Sequence, residues 1–266
     1  MNDYELIDSG NELKFERFGN LKLVRPCAQA LWKKKMPKWE DVDATFDRKS
    51  LWKMQHKKKS SWQVAVGEIA LELKMTEFGH IGFFPEHLSI LEKISPLIEK
   101  GDKVLNLFAY SGLMTLALAQ KKAQLCHVDA SKTTVDWARK NAKINNLEKA
   151  PIRWIVDDVM KFLKREVKRG SCYEGVVLDP PTFGRGAQGQ VFKLERDINL
   201  LLELVKQVLS KEAKFVALSC HTPGISPLVL KQIFEGYFPV SNFGELVILA
   251  NKGKDLPCGS FAIFLK

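Results

Sequence analysis

Lys103-Val-Leu-Asn-Leu-Phe-Ala-Tyr-Ser-Gly-Leu-Met-Thr-Leu-Ala-Leu-Ala-Gln120 joins, without a break, a short β-rich apolar run, a turn of small residues and a helix-forming run. Residues 103–107 predict a strand, residues 113–120 a helix, and Asn106 to Gly112 the turn that joins them. A strand feeding directly into a helix is the first half of a β-α-β unit, and the same alternation recurs to the C-terminus. Further strands are predicted at residues 124–128, 152–156, 175–179, 213–219, 244–250 and 260–265. Ser131 reads as the N-cap of a helix through Asn145 that sets Val135, Ala138, Ala142 and Leu147 on one face. Helices are also expected at residues 160–168 and 192–209, and upstream at 85–99, where Pro96 weakens the last turn. The segment between the last two strands, Asn251 to Gly259, is too short for a crossover helix, so the final strand should return antiparallel. The expected fold is α/β, a Rossmann-like seven-stranded sheet with an antiparallel last strand. The alternative is a generic doubly wound domain that ends in an edge hairpin.

The first 75 residues read differently. Strand-like segments at 13–18, 21–24, 61–66 and 69–74 should pair as hairpins in a small β-rich N-terminal extension, with residues 76–266 forming the α/β domain. Between Trp32 and Trp62 stand ten basic residues (Lys33, Lys34, Lys35, Lys38, Arg48, Lys49, Lys53, Lys57, Lys58 and Lys59) against four acidic ones, a net +6 out of +10 for the chain. Interleaved Trp32, Trp39, Trp52 and Trp62 would set stacking surfaces beside phosphate-neutralising charge, a pattern suited to nucleic acid; a solvated lysine face is the plain alternative. The first ten residues are acidic and polar, unlike a secretory signal, and no window has the apolar length of a membrane span, so a soluble, cytoplasmic protein is expected. Five scattered cysteines form neither a disulfide framework nor a CxxC knuckle, and the five histidines show no HxH or HxxxH spacing, so no metal is expected.

In the turn after the first strand, Ala109, Ser111 and Gly112 leave room for a ligand to approach the backbone beside Phe108 and Tyr110. Amides at the start of the next helix favour an anionic group such as a carboxylate. The turn is not GxGxxG, which disfavours a dinucleotide pyrophosphate. Asp129, followed by Ala130, ends the second strand 23 residues after Asn106. There its carboxylate can accept from both hydroxyls of a ribose, or simply complement the positive end of the following helix. After the third strand Asp158 is placed to accept from an adenine amino group; Asp157 is its rival, and either can instead cap the next helix. Together these point to a nucleoside bearing an amino-acid carboxylate, S-adenosylmethionine (SAM).

Asp179-Pro180-Pro181-Thr182-Phe183, followed by the glycine-rich residues 184–189, is the strongest local signal. Two prolines fix the backbone and remove two amide donors, leaving carbonyls as acceptors for a donor such as a base amino group. Asp179 can orient that donor or share its proton, and Phe183 can stack on a flat ring. The plain alternative is a rigid loop with an incidental Asp.

VLNLFAYSG, HVDASK, IRWIVDDVMKFL and LDPPTFGRG, in this order and spacing, resemble the bacterial methyltransferase family that includes large-subunit ribosomal RNA cytosine-C5 and guanine-N7 enzymes. The likeness covers about residues 78–226 and is closest to a compact branch without the PUA RNA-binding domain of other members. It implies the seven-stranded methyltransferase sheet, SAM as cofactor and methyl transfer, and it leaves the acceptor open. It also implies that Gly82 and Phe83, within Phe78-Gly-His-Ile-Gly-Phe-Phe-Pro-Glu86, lie against the cofactor. Cys220 stands where the family's C5 enzymes carry a thiolate nucleophile, but without their Ser-Cys-Ser context; a small core hydrophobe is the alternative, and nitrogen methylation is then the better mechanism.

The expected function is methyl transfer to a base of RNA, ribosomal RNA before others. A protein side chain or small molecule as acceptor, a non-catalytic SAM- or RNA-binding protein and, last, a nicotinamide oxidoreductase are the competing readings.

Overall fold

The computed structural model of the 266-residue chain describes residues 3–55, 61–186 and 189–266. Lys57, Lys58 and Lys59 of the basic stretch, and Ala187 and Gln188 of the glycine-rich stretch, lie outside the described residues. The chain divides into two compact units, Met1–Glu86 with Val247–Cys258, and His87–Leu246 with Gly259–Lys266.

The first unit is built on β1 (Tyr4–Gly10), β2 (Leu13–Phe18), β3 (Leu21–Pro26), β4 (Ala44–Asp47) and β5 (Leu51–Met54), joined in that order in one sheet, and on a separate hairpin of β6 (Ser61–Val66) and β7 (Ile69–Lys74). β2–β3 and β6–β7 are the hairpins that the sequence predicts. The strand at Tyr4–Gly10 was not predicted from the sequence. Asp8 is fully buried because its carboxylate accepts from Trp39 Nε1 at 2.9 Å, the Met36 amide at 2.9 Å and the Ser9 amide at 2.9 Å. Its charge is matched by donors instead of water. Glu16 is likewise buried under a bidentate Arg25, at 2.8 and 3.0 Å; burial pushes its pKa up, but Arg25 and Lys14 outweigh that and hold it low. Ile248 and Leu256 pack with Leu6, Cys27 and Ala30, which accounts for the inclusion of residues 247–258.

The second unit opens with a 3₁₀ turn ending at His87, then α1 (Leu88–Ile94) and a second 3₁₀ turn, Ser95–Leu97, so the helix predicted at 85–99 is broken at both ends. Then follow β8 (Lys103–Leu107), α2 (Leu113–Gln120), β9 (Gln124–Asp129), α3 (Lys132–Ile144), β10 (Ile152–Val156), α4 (Val159–Arg169) and β11 (Gly175–Leu178). A small hairpin of β12 (Phe183–Arg185) and β13 (Val191–Lys193) leads to α5 (Leu194–Gln207), β14 (Phe215–Cys220), α6 (Pro227–Glu235), β15 (Asn242–Ile248) and β16 (Leu256–Leu265). Ser131 caps α3 as predicted, its side chain accepting from the Thr134 amide. Helix α6 was not predicted, although Ser226 at its N-cap and Pro227 at its first position are a recognised start signal.

The sheet order is β10-β9-β8-β11-β14-β16-β15. The first five strands are mutually parallel and β16 runs antiparallel to β14, as expected for the last strand. On one face Leu105, Leu107, Val176, Leu178, Val216 and Leu218 meet Phe162, Leu163, Leu201, Leu202 and Val205 of α4 and α5 in a continuous buried cluster. Each such large side chain contributes about 1.5–3 kcal/mol by leaving water. The sheet edge above that core is therefore rigid, and the loops at its C-terminal end start from fixed points.

Candidate functional site

From β8 the chain steps outward through β9 to β10, and from β11 it steps the other way to β14, so the direction of winding reverses between β8 and β11. Loops leaving neighbouring strands at such a reversal diverge to opposite faces and open a crevice at the carboxyl edge of the sheet. Here those loops are residues 108–112 and 179–182, tied at their roots by the Asp179 amide donating to Leu107 O at 3.4 Å.

In the first loop Phe108, Tyr110 and Gly112 all have left-handed backbones, with φ of 56°, 49° and 95°. For the two non-glycine residues that costs about 1–2 kcal/mol each. The turn is held by the Ala109 amide on Val128 O at 3.1 Å, the Tyr110 amide on Asp129 Oδ2 at 2.9 Å, and ring contacts of Phe108 with Phe192 and Tyr110 with Trp137. Gly112 is required twice, by its φ and because a Cβ there would stand 3.0 Å from Ala138 Cβ. As the N-cap of α2 it brings no capping side chain, which leaves the first-turn amides to an external anion.

Asn106 is buried beneath this loop, its Nδ2 donating to Thr115 Oγ1 at 2.8 Å; Thr115 Oγ1 in turn lies 2.9 Å from His127 Nδ1. Its amide is thus used to tie β8 to α2. Burial drives the His127 pKa down to about 3, so the imidazole is neutral. Ser111 is buried too, its carbonyl accepting from Asn141 Nδ2 at 3.0 Å.

Asp129 is half-buried beside Ala130 at the end of β9. Its Oδ1 accepts from the Ser131 amide and Thr134 Oγ1, each at 2.9 Å, and its Oδ2 from Tyr110. Three of roughly four acceptor sites are filled, so the same carboxylate starts α3 and pins the glycine turn. Asp158 caps α4 by accepting from the Lys161 amide at 2.9 Å, and Asp157 pairs with Arg165. Gly82 and Phe83 belong to the first unit. Gly82 has φ of 130°, and Phe83 is a buried ring edge-on to Tyr4 and Phe18, each 5.9 Å away.

At the second loop Pro180 is buried, Pro181 is exposed, and the Phe183 ring is 51% exposed with Arg185 over it at 5.6 Å. Asp179 is flanked by two histidines that no sequence spacing joined to it. His87 Nε2 lies 3.4 Å from Oδ2, His221 Nε2 3.3 Å from Oδ1, and the two Nε2 atoms 3.3 Å apart. Ser219 Oγ donates to Oδ1 at 2.6 Å. Burial pushes the Asp179 carboxyl up, but the two imidazoles outweigh it and hold the group well below the usual carboxylate range. Cys220 is 1% exposed inside the apolar cluster, and burial pushes its thiol up, away from the thiolate.

A seven-stranded sheet with this order, a glycine turn without a pyrophosphate motif and a carboxylate after the second strand define the SAM-dependent methyltransferase class. The chain matches the family described as S-adenosylmethionine-dependent methyltransferase over residues 54–246 and belongs to it; its cofactor is SAM. The solved SAM-dependent methyltransferase of Agrobacterium tumefaciens is 34% identical, covers all of this chain and 91% of its own, and superposes with a TM-score of 0.94. Among curated proteins, ribosomal RNA large subunit methyltransferase K/L of Pseudomonas aeruginosa is 32% identical over 158 residues, 57% of this chain and 21% of the relative. Ribosomal RNA large subunit methyltransferase I of Aeromonas salmonicida is 28% identical over 159 residues, 59% of this chain and 40% of the relative. The chain thus aligns with less than half the length of these two relatives.

Proposed function

We propose that this methyltransferase acts on a base of RNA, ribosomal RNA before others, with residues 108–112 and Asp129 holding the cofactor and the Asp179 corner holding the acceptor. The carrying observation is the corner itself, an ionised, half-buried carboxylate and a proline-fixed turn next to an exposed aromatic ring, Phe183. The bound cofactor supplies a methyl group already activated on a sulfonium, so the protein needs chiefly to position the acceptor.

The α2 amides suit the carboxylate of the methionine moiety, and Asp129 the ribose. For the adenine end, Asp157 and Asp158 both already have partners, so their backbone and the surface of half-buried Ile155 and exposed Val156 are the better candidates. An acceptor amino group fits the carbonyls of the Asp179-Pro180-Pro181 turn, with its ring against Phe183. Among the described residues no helix is long and apolar enough to cross a membrane.

Support for RNA comes from two sides. The rRNA enzymes named above are relatives over more than half of this chain, and Lys33, Lys35, Lys38, Arg48, Lys49 and Lys53 are all exposed. The four tryptophans carry less of that reading than their sequence pattern suggested. Each is half-buried and donates its indole N–H within the first unit, to Ser9 O, Asp8 Oδ2, Thr76 O and Phe18 O. They are framework first, with only partial faces left for stacking.

We assign Cys220 to the core and not to covalent catalysis, which favours a nitrogen acceptor. Labelled SAM offered with ribosomal RNA, transfer RNA and protein extract tests the proposal. Label in RNA, with nucleoside mass spectrometry giving an N-methylated base and a rate that falls steeply with salt, is the expected outcome. Label confined to protein would overturn it.

A further inference from the structure

We propose that His87, Asp179 and His221 form a binding site for one divalent transition-metal cation, zinc by preference, at the edge of the acceptor corner. All three lie in the second unit and come from separate segments: the turn before α1, the end of β11 and the end of β14. β11 and β14 are parallel neighbours with Leu178 opposite Leu218, which brings the segments that follow them side by side.

The distances carry the argument. Four-coordinate zinc with bonds of about 2.0–2.1 Å to nitrogen and oxygen sets its ligand atoms about 3.3–3.4 Å apart. The three separations here are 3.3 Å between the two Nε2 atoms, 3.3 Å from His221 Nε2 to Oδ1 and 3.4 Å from His87 Nε2 to Oδ2. Each histidine meets a different carboxylate oxygen, so these contacts run around four atoms and a cation among them would draw on both oxygens of Asp179; one ligand atom from each residue lies within 4.8 Å of the others. A hydrogen-bonded cluster explains the same atoms less well. Each Nε2 offers one proton or one lone pair in a single direction, so at most two of the three edges can be hydrogen bonds. Charge-assisted N–H to carboxylate bonds also run shorter, about 2.7–2.9 Å. A cation at the centre uses both imidazole lone pairs and the carboxylate at once.

The surroundings fit a metal as well. Ser219 Oγ, 2.6 Å from Oδ1, orients the carboxylate as an outer-shell partner does. The side chains are 11%, 22% and 30% exposed, enough for a cation to enter and for a fourth ligand, water or a substrate atom, to complete the shell. Two imidazoles with one carboxylate form a borderline donor set that suits zinc, and spectroscopically cobalt, better than magnesium or calcium. The inference does not rest on the RNA reading, because cation binding is read without any acceptor.

The test is to strip the 266-residue chain with chelator and titrate Co²⁺ while recording the visible spectrum. Expected are the intense d–d bands of four-coordinate cobalt, saturating at one equivalent and displaced by Zn²⁺. His87→Ala and the milder, more exposed His221→Gln should each weaken cobalt binding by roughly tenfold or more. Retained heat of S-adenosylhomocysteine (SAH) binding shows that both variants are folded. Absence of these bands in the wild type would overturn the proposal. So would cobalt binding equally tight in both variants, or a thiolate-to-cobalt charge-transfer band placing the ion on cysteine.

Discussion

The two loops that flank the sheet's reversal are built on opposite plans. Residues 108–112 are built from contiguous chain, in which strand, left-handed turn and helix start follow one another, and in the proposed reading the groups that face the cofactor are mainly backbone. The Asp179 corner is assembled from distance, its carboxylate standing between histidines contributed 92 residues before it and 42 residues after it. A cofactor common to a whole family can be met by local backbone geometry that survives sequence change. In the proposed reading, an acceptor particular to one enzyme is met at a corner whose side chains only the finished fold brings together. If so, damage to one loop should spare the function of the other.

The largest effect is expected from Asp179→Ala. Methyl transfer should fall by about 10²-fold or more, as for an acceptor left misplaced when the carboxylate that ties the corner together is lost. SAH should still bind with nearly unchanged affinity by calorimetry; a matching loss of SAH binding would erase the division between the loops. Next comes Asp129→Ala, which should weaken SAM binding by about 1.5–3 kcal/mol, or tenfold to somewhat beyond a hundredfold, through lost bonds to a charged acceptor. Co²⁺ binding at the other corner should not move. Gly112→Ala should lower folding stability by about 1–2 kcal/mol in denaturant titration, because alanine must adopt φ of 95° and its Cβ meets Ala138.

A smaller effect is predicted beneath the contiguous loop, where His127 is buried and neutral. Its pKa is about 3 in the folded chain against 6.5 for an exposed histidine, so the unfolded chain binds the extra proton between those values. Stability should therefore fall as pH drops through that window, by about 1.4 kcal/mol between pH 8 and pH 5.5 from this group alone. His127→Gln should flatten that part of the profile; an unchanged slope would refute the assignment. The smallest effect is expected for Cys220→Ala, whose turnover should stay within an order of magnitude of wild type, whereas loss of a covalent nucleophile costs several.

The same contrast explains what could be read from the chain alone. The strands of the α/β sheet, the helix at 113–120 and the cap at Ser131 follow from local periodicity and turn chemistry, and the structure departs from them by a few residues at the ends. The order of the glycine turn, Asp129 and the proline corner along the chain was equally legible. His87 and His221 were not, since spacing rules see only ligands that share a helix or a loop, and these two lie 134 residues apart. The burial of Asp8 and Glu16 was not legible either, because the tryptophan, backbone amide and arginine donors that match them within the first unit are set by the fold. The stretch at residues 247–258 gave no sign of joining that unit either, because its partners Leu6 and Cys27 lie at the far end of the sequence.

Titration of SAH into the purified 266-residue chain by isothermal calorimetry tests the central claim most directly, repeated with the Asp129→Ala and His221→Gln variants. One equivalent of SAH should bind to the wild type and to His221→Gln with similar heat, and more weakly by tenfold or beyond to Asp129→Ala. No heat with the folded wild type, or equal affinity in Asp129→Ala, would contradict the placement of the cofactor on residues 108–112 and Asp129.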